Sequence, residues 1–115
     1  MSNNLPVTAI ATDVFVAPQL TPEAMTEVAR MGIRSVVNNR PDFEAGADQP
    51  TNASIEAAAR AAGLEYHFLP VSGGYQSPEE IKAFAALLGQ LPRPLLAFCR
   101  SGARSTKLYK QAVSS

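Results

Sequence analysis

The stretch LLAFCRSGARS, residues 95–105, decides which fold the rest of the chain can adopt. Its first letters, LLAFC, form an apolar run that is typical of a strand covered on both faces in a parallel sheet. The residues from Arg100 onward form a short loop, and a helix is predicted to begin near Ala103. The stretch therefore predicts a buried strand, a tight loop and a helix, with Cys99 where the strand ends.

The same alternation of strand and helix extends toward the N-terminus. Further strands are predicted at Val7 to Ile10, Val14 to Ala17, residues 33–37 and residues 64–71. Helices are predicted between Thr21 and Gly32, over residues 54–62 with Asn52 or Ser54 as the cap, and after the capping box that Ser77 opens. This order predicts an α/β fold with three layers, α/β/α, around a mainly parallel sheet of about four to five strands.

Length and composition favour one domain and exclude several classes of function. The 115 residues are 46% hydrophobic, so we expect a single domain over residues 1–115. Ten Lys and Arg balance ten Asp and Glu, which argues against a nucleic acid or a membrane as partner and makes anion recognition local. No apolar run approaches the roughly 20 residues that span a bilayer, and the start MSNNLPVTAI lacks a signal-peptide pattern, so a cytoplasmic location is expected.

Cys99 is the single cysteine, and its surroundings favour a reactive thiol over a buried filler. With one histidine in the chain, it cannot complete a four-ligand zinc site, and we expect neither a metal nor an organic cofactor. Gly102 permits a left-handed turn in which the N–H groups of Arg100, Ser101, Gly102 and Ala103 point inward as an anion-binding loop. The start of the next helix adds its positive end, which lowers the pKa of a neighbouring thiol.

Side chains from three loops complete the predicted site. Arg104 can bind two oxygens of a sulfonate or phosphate, and Ser105 can donate a hydrogen bond to the Cys99 sulfur. Because the carboxyl ends of parallel strands meet at one edge of the sheet, two more loops should form a pocket rim there. The rim candidates are Asn39, Arg40, Asp42, Ser72, Gly73 and Tyr75, and the alternative for the Asn39 cluster is a turn that only holds the loops together.

Several of these segments resemble known protein families. CRSGARS is similar to the active loop of rhodanese-type sulfurtransferases. The wider chain, through VFVAPQLTPE, SVVNNRPD, YHFLPV and LLAFCRSGARS, resembles a bacterial phosphatase-like family related to protein tyrosine phosphatases. Members of that family stand alone or are fused to beta-lactamase-like hydrolases linked to sulfide metabolism, and some are labelled sulfur transferases. The resemblance implies the fold of the dual-specificity phosphatases, with Cys99 as nucleophile and Arg104 as anion binder.

Three departures from the phosphatase pattern favour sulfur chemistry. Four residues separate Cys99 from Arg104 instead of five, Phe98 replaces the usual histidine, and Ser72-Gly73-Gly74 follows Val71 where an aspartate acid is expected. A positioned acid increases the rate of phosphoester cleavage by roughly 10²- to 10⁴-fold, because it protonates the leaving oxygen. Sulfur transfer does not need this acid, since sulfite or a thiolate leaves without a proton. We therefore expect a cysteine-dependent sulfurtransferase that passes a sulfane sulfur through a Cys99 persulfide.

Two alternatives stay open at this point. The first is a phosphatase that uses the same Cys99 and Arg104, with Asp42 or water replacing the acid. The second is a non-catalytic anion- or persulfide-binding module that serves a partner hydrolase. The expected partners are thiosulfate, a persulfide or a phosphate ester, together with an acceptor thiol. Because the final helix is short, a homodimer contact or a partner hydrolase domain is expected to cover its face.

Overall fold

The computed structural model describes residues 5–114, and its central feature is a five-stranded sheet. The strands are β1 (Thr8–Ala11), β2 (Val14–Ala17), β3 (Ser35–Asn38), β4 (Glu65–Phe68) and β5 (Leu95–Phe98). The helices are α1 (Ala24–Arg30), α2 (Asn52–Ala61), α3 (Pro78–Gln90) and α4 (Ala103–Ser114), and a short 3₁₀ turn spans Gly46–Asp48. The predicted domain also includes residues 1–4 and 115, which lie outside the described residues.

The strand that precedes Cys99 lies at the centre of the sheet. The strand order is β1-β2-β5-β3-β4, in which β5 pairs in parallel with β2 on one side and β3 on the other. Strand β4 is also parallel, and only β1 runs antiparallel, as a hairpin with β2. All four residues of β5 are buried, which confirms the prediction of a strand covered on both faces.

Side chains that alternate along β5 divide between two hydrophobic clusters. Leu96 and Phe98 pack in the cluster that contains the buried residues of α1 and α2, whereas Leu95 and Ala97 pack with α3 and α4. Two helices therefore cover each face of the sheet, and the predicted three-layer α/β/α fold is confirmed. Each fully buried leucine or phenylalanine contributes about 1.5–3 kcal/mol through removal from water.

The helix ends agree with the sequence in part. Ser77 forms the predicted capping box, since its Oγ accepts the Glu80 N–H at 3.1 Å and Glu80 Oε1 accepts the Ser77 N–H at 2.8 Å. The prediction for α2 was wrong, because Thr51 rather than Asn52 or Ser54 is its cap and accepts the Ser54 N–H at 3.2 Å. Threonine is among the residues preferred at this position, since its hydroxyl can accept the free N–H.

Two predicted elements are shorter than expected. Helix α1 begins regularly at Ala24 because the residues before it form a turn, although Thr21 Oγ1 still accepts the Ala24 N–H at 3.2 Å. Strand β4 ends at Phe68 instead of residue 71, although Leu69 and Val71 still donate their N–H groups to the carbonyls of Asn38 and Asn39 at 2.9 and 3.0 Å. Of the helices in residues 5–114, none has the length and apolar character that crossing a membrane requires.

Candidate active site

Cys99 follows the last residue of β5 and lies at the bottom of a small cavity. The cavity has a volume of about 280 Å³ and is lined by Gly73, Cys99, Arg100, Ser101, Ala103, Arg104 and Lys107. The residue itself exposes 0% of its surface, although it lines this cavity. The central strand thus delivers one thiol to the edge of the sheet where ligands bind in α/β proteins.

The loop after Cys99 folds back so that backbone N–H groups surround the sulfur. Gly102 has a φ of +95°, the left-handed conformation predicted for it, and its N–H donates to Cys99 Sγ at 3.1 Å. Helix α4 starts at the next residue, Ala103, whose N–H donates to Ser101 Oγ at 3.3 Å. The loop is therefore a ring of N–H donors that ends in the positive end of a helix.

The thiol of Cys99 is tuned toward its ionised form. Burial raises the pKa of Cys99, but the backbone N–H and hydroxyl of Ser105 and the backbone N–H groups of Gly102 and Ser101 lower it by more. The net pKa therefore lies below the ordinary value of a thiol. A lowered pKa is what a cysteine nucleophile needs, because the thiolate is the reactive species.

Ser105 connects this loop to the neighbouring strand. It is fully buried, and its hydroxyl both contacts the Cys99 sulfur and donates to Asn39 Oδ1 at 2.8 Å. Asn39 is also fully buried, and its Nδ2 donates to the carbonyl of Leu69 at 2.9 Å. The Asn39 amide thus links its own loop to the two loops that contain Leu69 and Ser105. This is the role of holding the loops together, which the sequence left open as the alternative to a pocket rim.

Arg104 lines the Cys99 cavity, and its guanidinium forms hydrogen bonds with residues of two other loops. Its side chain is 10% exposed, Nη1 donates to the Val71 carbonyl at 3.1 Å, and Nη2 donates to Glu44 Oε1 at 3.1 Å. The buried Arg104 Nε–H has no hydrogen-bond partner among residues 5–114. A buried donor without a partner costs free energy, and Arg104 as a residue lines both the Cys99 cavity and a second cavity.

Glu44 separates the guanidinium groups of two arginines. Its Oε1 accepts from Arg40 Nε at 2.9 Å as well as from Arg104, beside a second cavity of about 460 Å³. Burial raises the pKa of Glu44, but the hydrogen bonds and charges of Arg104 and Arg40 lower it below the ordinary value. The carboxylate is therefore ionised at neutral pH and competes with any other anion for Arg104.

The six predicted rim residues divide into two that line the cavities and four that do not. Gly73 lines both cavities, and Arg40 lines the second. Three of the other four form hydrogen bonds elsewhere instead. Asp42 Oδ1 accepts the Asn52 N–H at 2.7 Å at the start of α2, and Asn39 braces loops. Ser72 Oγ accepts the Gly74 N–H at 3.2 Å, and Tyr75 is 67% exposed outside both cavities.

Two charged residues that line the cavities were not assigned a role from the sequence. Lys107 could have been found, because it lies three residues after Arg104 in a helix and so shares its face. Glu44 carries no such signal, since sixty positions separate it from Arg104 along the chain and only the tertiary fold brings them together. Within residues 5–114, no group of three or more His, Cys, Asp or Glu side chains could hold a metal ion.

Comparison with known proteins assigns the fold to a phosphatase-like group. The family model described as "Beta-lactamase hydrolase-like protein, phosphatase-like domain" matches residues 7–114. A beta-lactamase hydrolase-like protein of Xylella fastidiosa is 43% identical over 81 residues, which is 70% of this chain. The match spans only 19% of that relative's length, so most of the relative has no counterpart here.

Solved structures agree with this family match. A provisionally named phosphatase of Neisseria meningitidis is 34% identical, with a TM-score of 0.77 over 84% of this chain and 68% of its own. Another from Shewanella putrefaciens has a TM-score of 0.80 over 95% of this chain and 71% of its own, at 16% identity. The predicted fold of the protein tyrosine phosphatases is thus confirmed. These findings favour the phosphatase alternative over the sulfurtransferase reading, which stays a prediction.

Proposed function

This chain belongs to the family of the phosphatase-like domain of beta-lactamase hydrolase-like proteins, and we propose that it is a cysteine-dependent phosphatase. The single observation that carries the proposal is one small cavity lined both by Cys99, whose pKa is lowered, and by Arg104, whose buried Nε–H has no partner among residues 5–114. The first is suited to attack a phosphorus atom, and the second to hold the oxygens around it.

The first chemical step forms a bond between Cys99 and the substrate. The Cys99 thiolate attacks phosphorus, the S–P bond forms, and the P–O bond to the alcohol or phenol breaks with its electron pair on the leaving oxygen. The N–H groups of the loop and the Arg104 Nε–H stabilise the charge on the equatorial phosphoryl oxygens. The leaving oxygen takes its proton from water.

The second step releases inorganic phosphate. Water attacks the phosphocysteine, the P–O bond forms, and the S–P bond breaks to return the thiolate. The proton of the attacking water goes to bulk solvent. The same backbone donors lower the pKa of Cys99 and thereby make its sulfur a good leaving group in this step.

Among the described residues, no carboxylic acid is placed to protonate a leaving group, and this limits the substrates to those whose leaving groups are stable without a proton. In the described part of the chain, no Asp or Glu lines the Cys99 cavity, and the nearest candidate, Glu44, has a lowered pKa and is ionised. An alkoxide leaving group would need a proton donor worth roughly 10²- to 10⁴-fold. Aryl phosphates and phosphoanhydrides leave as weaker bases, and we propose these as substrates.

The test is hydrolysis of a series of aryl phosphates whose phenols differ in pKa. We expect kcat/KM to rise steeply as the phenol becomes more acidic, because the enzyme does not protonate it. Cys99→Ser should lower turnover by roughly 10³-fold or more, since a serine hydroxyl has no comparable ionised form at neutral pH. Mass spectrometry of rapidly quenched protein should find a phosphoryl group on Cys99. Turnover that survives in Cys99→Ser would refute the proposal.

Sulfur transfer is a second candidate function that two specific observations favour. The loop has four residues between Cys99 and Arg104, and sulfite leaves thiosulfate without needing the acid that the cavity lacks. The thiolate would attack the outer sulfur, forming an S–S bond as the bond to sulfite breaks, and an acceptor thiolate would then take the sulfur from Cys99. Incubation with thiosulfate tests this, since a gain of one sulfur in the mass of Cys99 separates it from phosphoryl transfer.

The curated relatives suggest a partner for this domain. The relatives extend far beyond the aligned region and carry a hydrolase name. We propose a hydrolase domain, in the same chain or a separate one, as the partner that exchanges product or substrate with this site. The third reading, a non-catalytic binding module for such a hydrolase, is favoured if neither phosphoryl nor sulfur transfer occurs while anions still bind.

A further inference from the structure

A basic strip runs from the Cys99 cavity along the exposed face of α4. Lys107 lines the Cys99 cavity and also a third, open groove of about 580 Å³, whose lining includes Ala103 and Lys110. Residues three or four positions apart lie on one face of a helix, so Ala103, Lys107 and Lys110 follow one another along this groove. The groove is therefore continuous with the cavity.

The two lysines of the strip are free to bind an anion. Both are exposed, and among residues 5–114 no carboxylate forms an ion pair with either. Helix α4 contains Arg104, Lys107 and Lys110 and no acidic residue, although the chain as a whole has no net charge. Positive charge is thus concentrated on one side of the reactive thiol, where neighbouring cations attract anions during approach.

The length of the strip sets the size of the ligand. A helix rises about 1.5 Å per residue, so Lys107 lies about 6 Å and Lys110 about 10 Å beyond Ala103 along the axis. A monophosphate held beside Cys99 has no second phosphate group that could bind farther along this strip. A molecule with one or more further phosphates can contact both lysines while its terminal phosphate stays beside Cys99.

We propose that the domain recognises substrates with several phosphates, and that Lys107 and Lys110 form a subsite for the phosphates that are not transferred. This deepens the proposed phosphatase function and rests on it for the reaction, but not for binding. A phosphoanhydride substrate also fits the absence of an Asp or Glu among the described residues that line the Cys99 cavity, since phosphate is a stable leaving group. The strip thus supplies specificity, whereas Cys99 and Arg104 supply the chemistry.

The first test is binding of inorganic phosphate, pyrophosphate and tripolyphosphate to the Cys99→Ser protein, measured by calorimetry in metal-free buffer. We expect affinity to rise with each added phosphate and to fall with added salt, because the contacts are exposed charges. Lys110→Gln should weaken tripolyphosphate about fivefold and inorganic phosphate much less. The matched control is Lys82→Gln on α3, which is exposed and lines none of the three cavities.

The second measurement separates failure of the subsite from failure of the phosphatase. In the active protein, Lys110→Gln should lower kcat/KM for tripolyphosphate relative to p-nitrophenyl phosphate, and Lys82→Gln should leave that ratio unchanged. Equal affinity for the three phosphates, or an equal loss for all of them in Lys110→Gln, overturns the subsite even if the aryl phosphate is hydrolysed. Graded affinity without any hydrolysis supports the subsite and overturns the phosphatase.

Discussion

The loop at residues 99–105, which contains Arg104, and the loop at residues 41–50, which contacts its guanidinium, are built in different ways. The first surrounds Cys99 with its own backbone N–H groups, and its geometry follows from Gly102 and the start of α4. The second reaches Arg104 through one side chain, Glu44, which comes from a distant part of the sequence. The reactive group is thus encoded locally, whereas the environment of its anion-binding partner depends on tertiary structure.

Among the substitutions that compare the two loops, the largest expected effect comes from Arg104, where the loops meet. Arg104→Ala should lower kcat/KM for aryl phosphates by roughly 10²- to 10³-fold, because it removes the guanidinium that lines the Cys99 cavity. Arg104→Lys should recover only part of this loss, since an ammonium group keeps the charge but not the planar fork. Steady-state kinetics and phosphate inhibition provide the measurement. An equal loss in Arg100→Ala, whose side chain is exposed, would contradict the assignment.

Ser105→Ala tests the locally encoded loop. The Ser105 hydroxyl lowers the pKa of Cys99, so its removal raises that pKa and shifts the rising limb of the pH–rate profile to higher pH. Since the thiolate reacts, activity below the midpoint should fall by up to about tenfold and recover as the pH increases. Ser101→Ala retains the backbone N–H that contacts the sulfur, so its midpoint should move less. An unchanged midpoint in Ser105→Ala would contradict the role of the hydroxyl.

The same substitution also has a cost in stability. Ser105 donates to Asn39 Oδ1, and the loss of that buried donor leaves an acceptor without a partner. We expect a decrease of about 1–3 kcal/mol in the free energy of unfolding, measured by denaturant titration. The pH–rate profile distinguishes this general loss from the specific change at Cys99.

Glu44→Gln tests the contact that depends on tertiary structure. A neutral amide no longer competes with a bound anion for Arg104, so inorganic phosphate should inhibit about fivefold more strongly. In the unmodified protein, protonation of Glu44 below its lowered pKa should change inhibition in the same direction. Glu56→Gln is the matched control, because Glu56 pairs with Arg60 on α2 and lines none of the cavities. Weaker inhibition in Glu44→Gln would mean that Glu44 orients Arg104 for binding.

The smallest expected effect comes from the third loop, at residues 72–75. A Cβ at Gly73 would lie 3.3 Å from Arg104 Nη2, so Gly73→Ala should displace the guanidinium by a few tenths of an ångström. We expect a loss of about two- to fivefold in kcat/KM. The neighbouring Gly74→Ala meets no atom within 4 Å and should behave like the unmodified protein. Equal kinetics in both variants would show that Arg104 adjusts without cost.

Much of the fold could be predicted because its signals are local. The apolar run before Cys99 predicts the central strand, Ser77 predicts the cap of α3, and Gly102 predicts the left-handed turn, and all three are confirmed. The cap of α2 was assigned to the wrong residue because Thr51, Asn52 and Ser54 are all suitable caps. Local propensity does not choose among such neighbours.

The periphery of the site was harder to predict for the opposite reason. Asn39 and Asp42 are polar residues after a strand, a pattern that fits either a pocket rim or a brace between loops, and the structure uses both as braces. Glu44 has no sequence neighbour that relates it to Arg104. Which polar side chain faces a cavity depends on how two loops pack, and neither spacing nor periodicity encodes that packing.

The central position of β5 has a consequence for how the protein opens. Fraying at either edge of the sheet disrupts β1 or β4 first, whereas separating β5 requires breaking its pairing with both β2 and β3. The amide hydrogens of Leu95–Phe98 should therefore exchange with solvent only in the rarest, global unfolding events. Cys99 directly follows this strand, so the part of the sheet that positions its sulfur should stay in place while either edge opens.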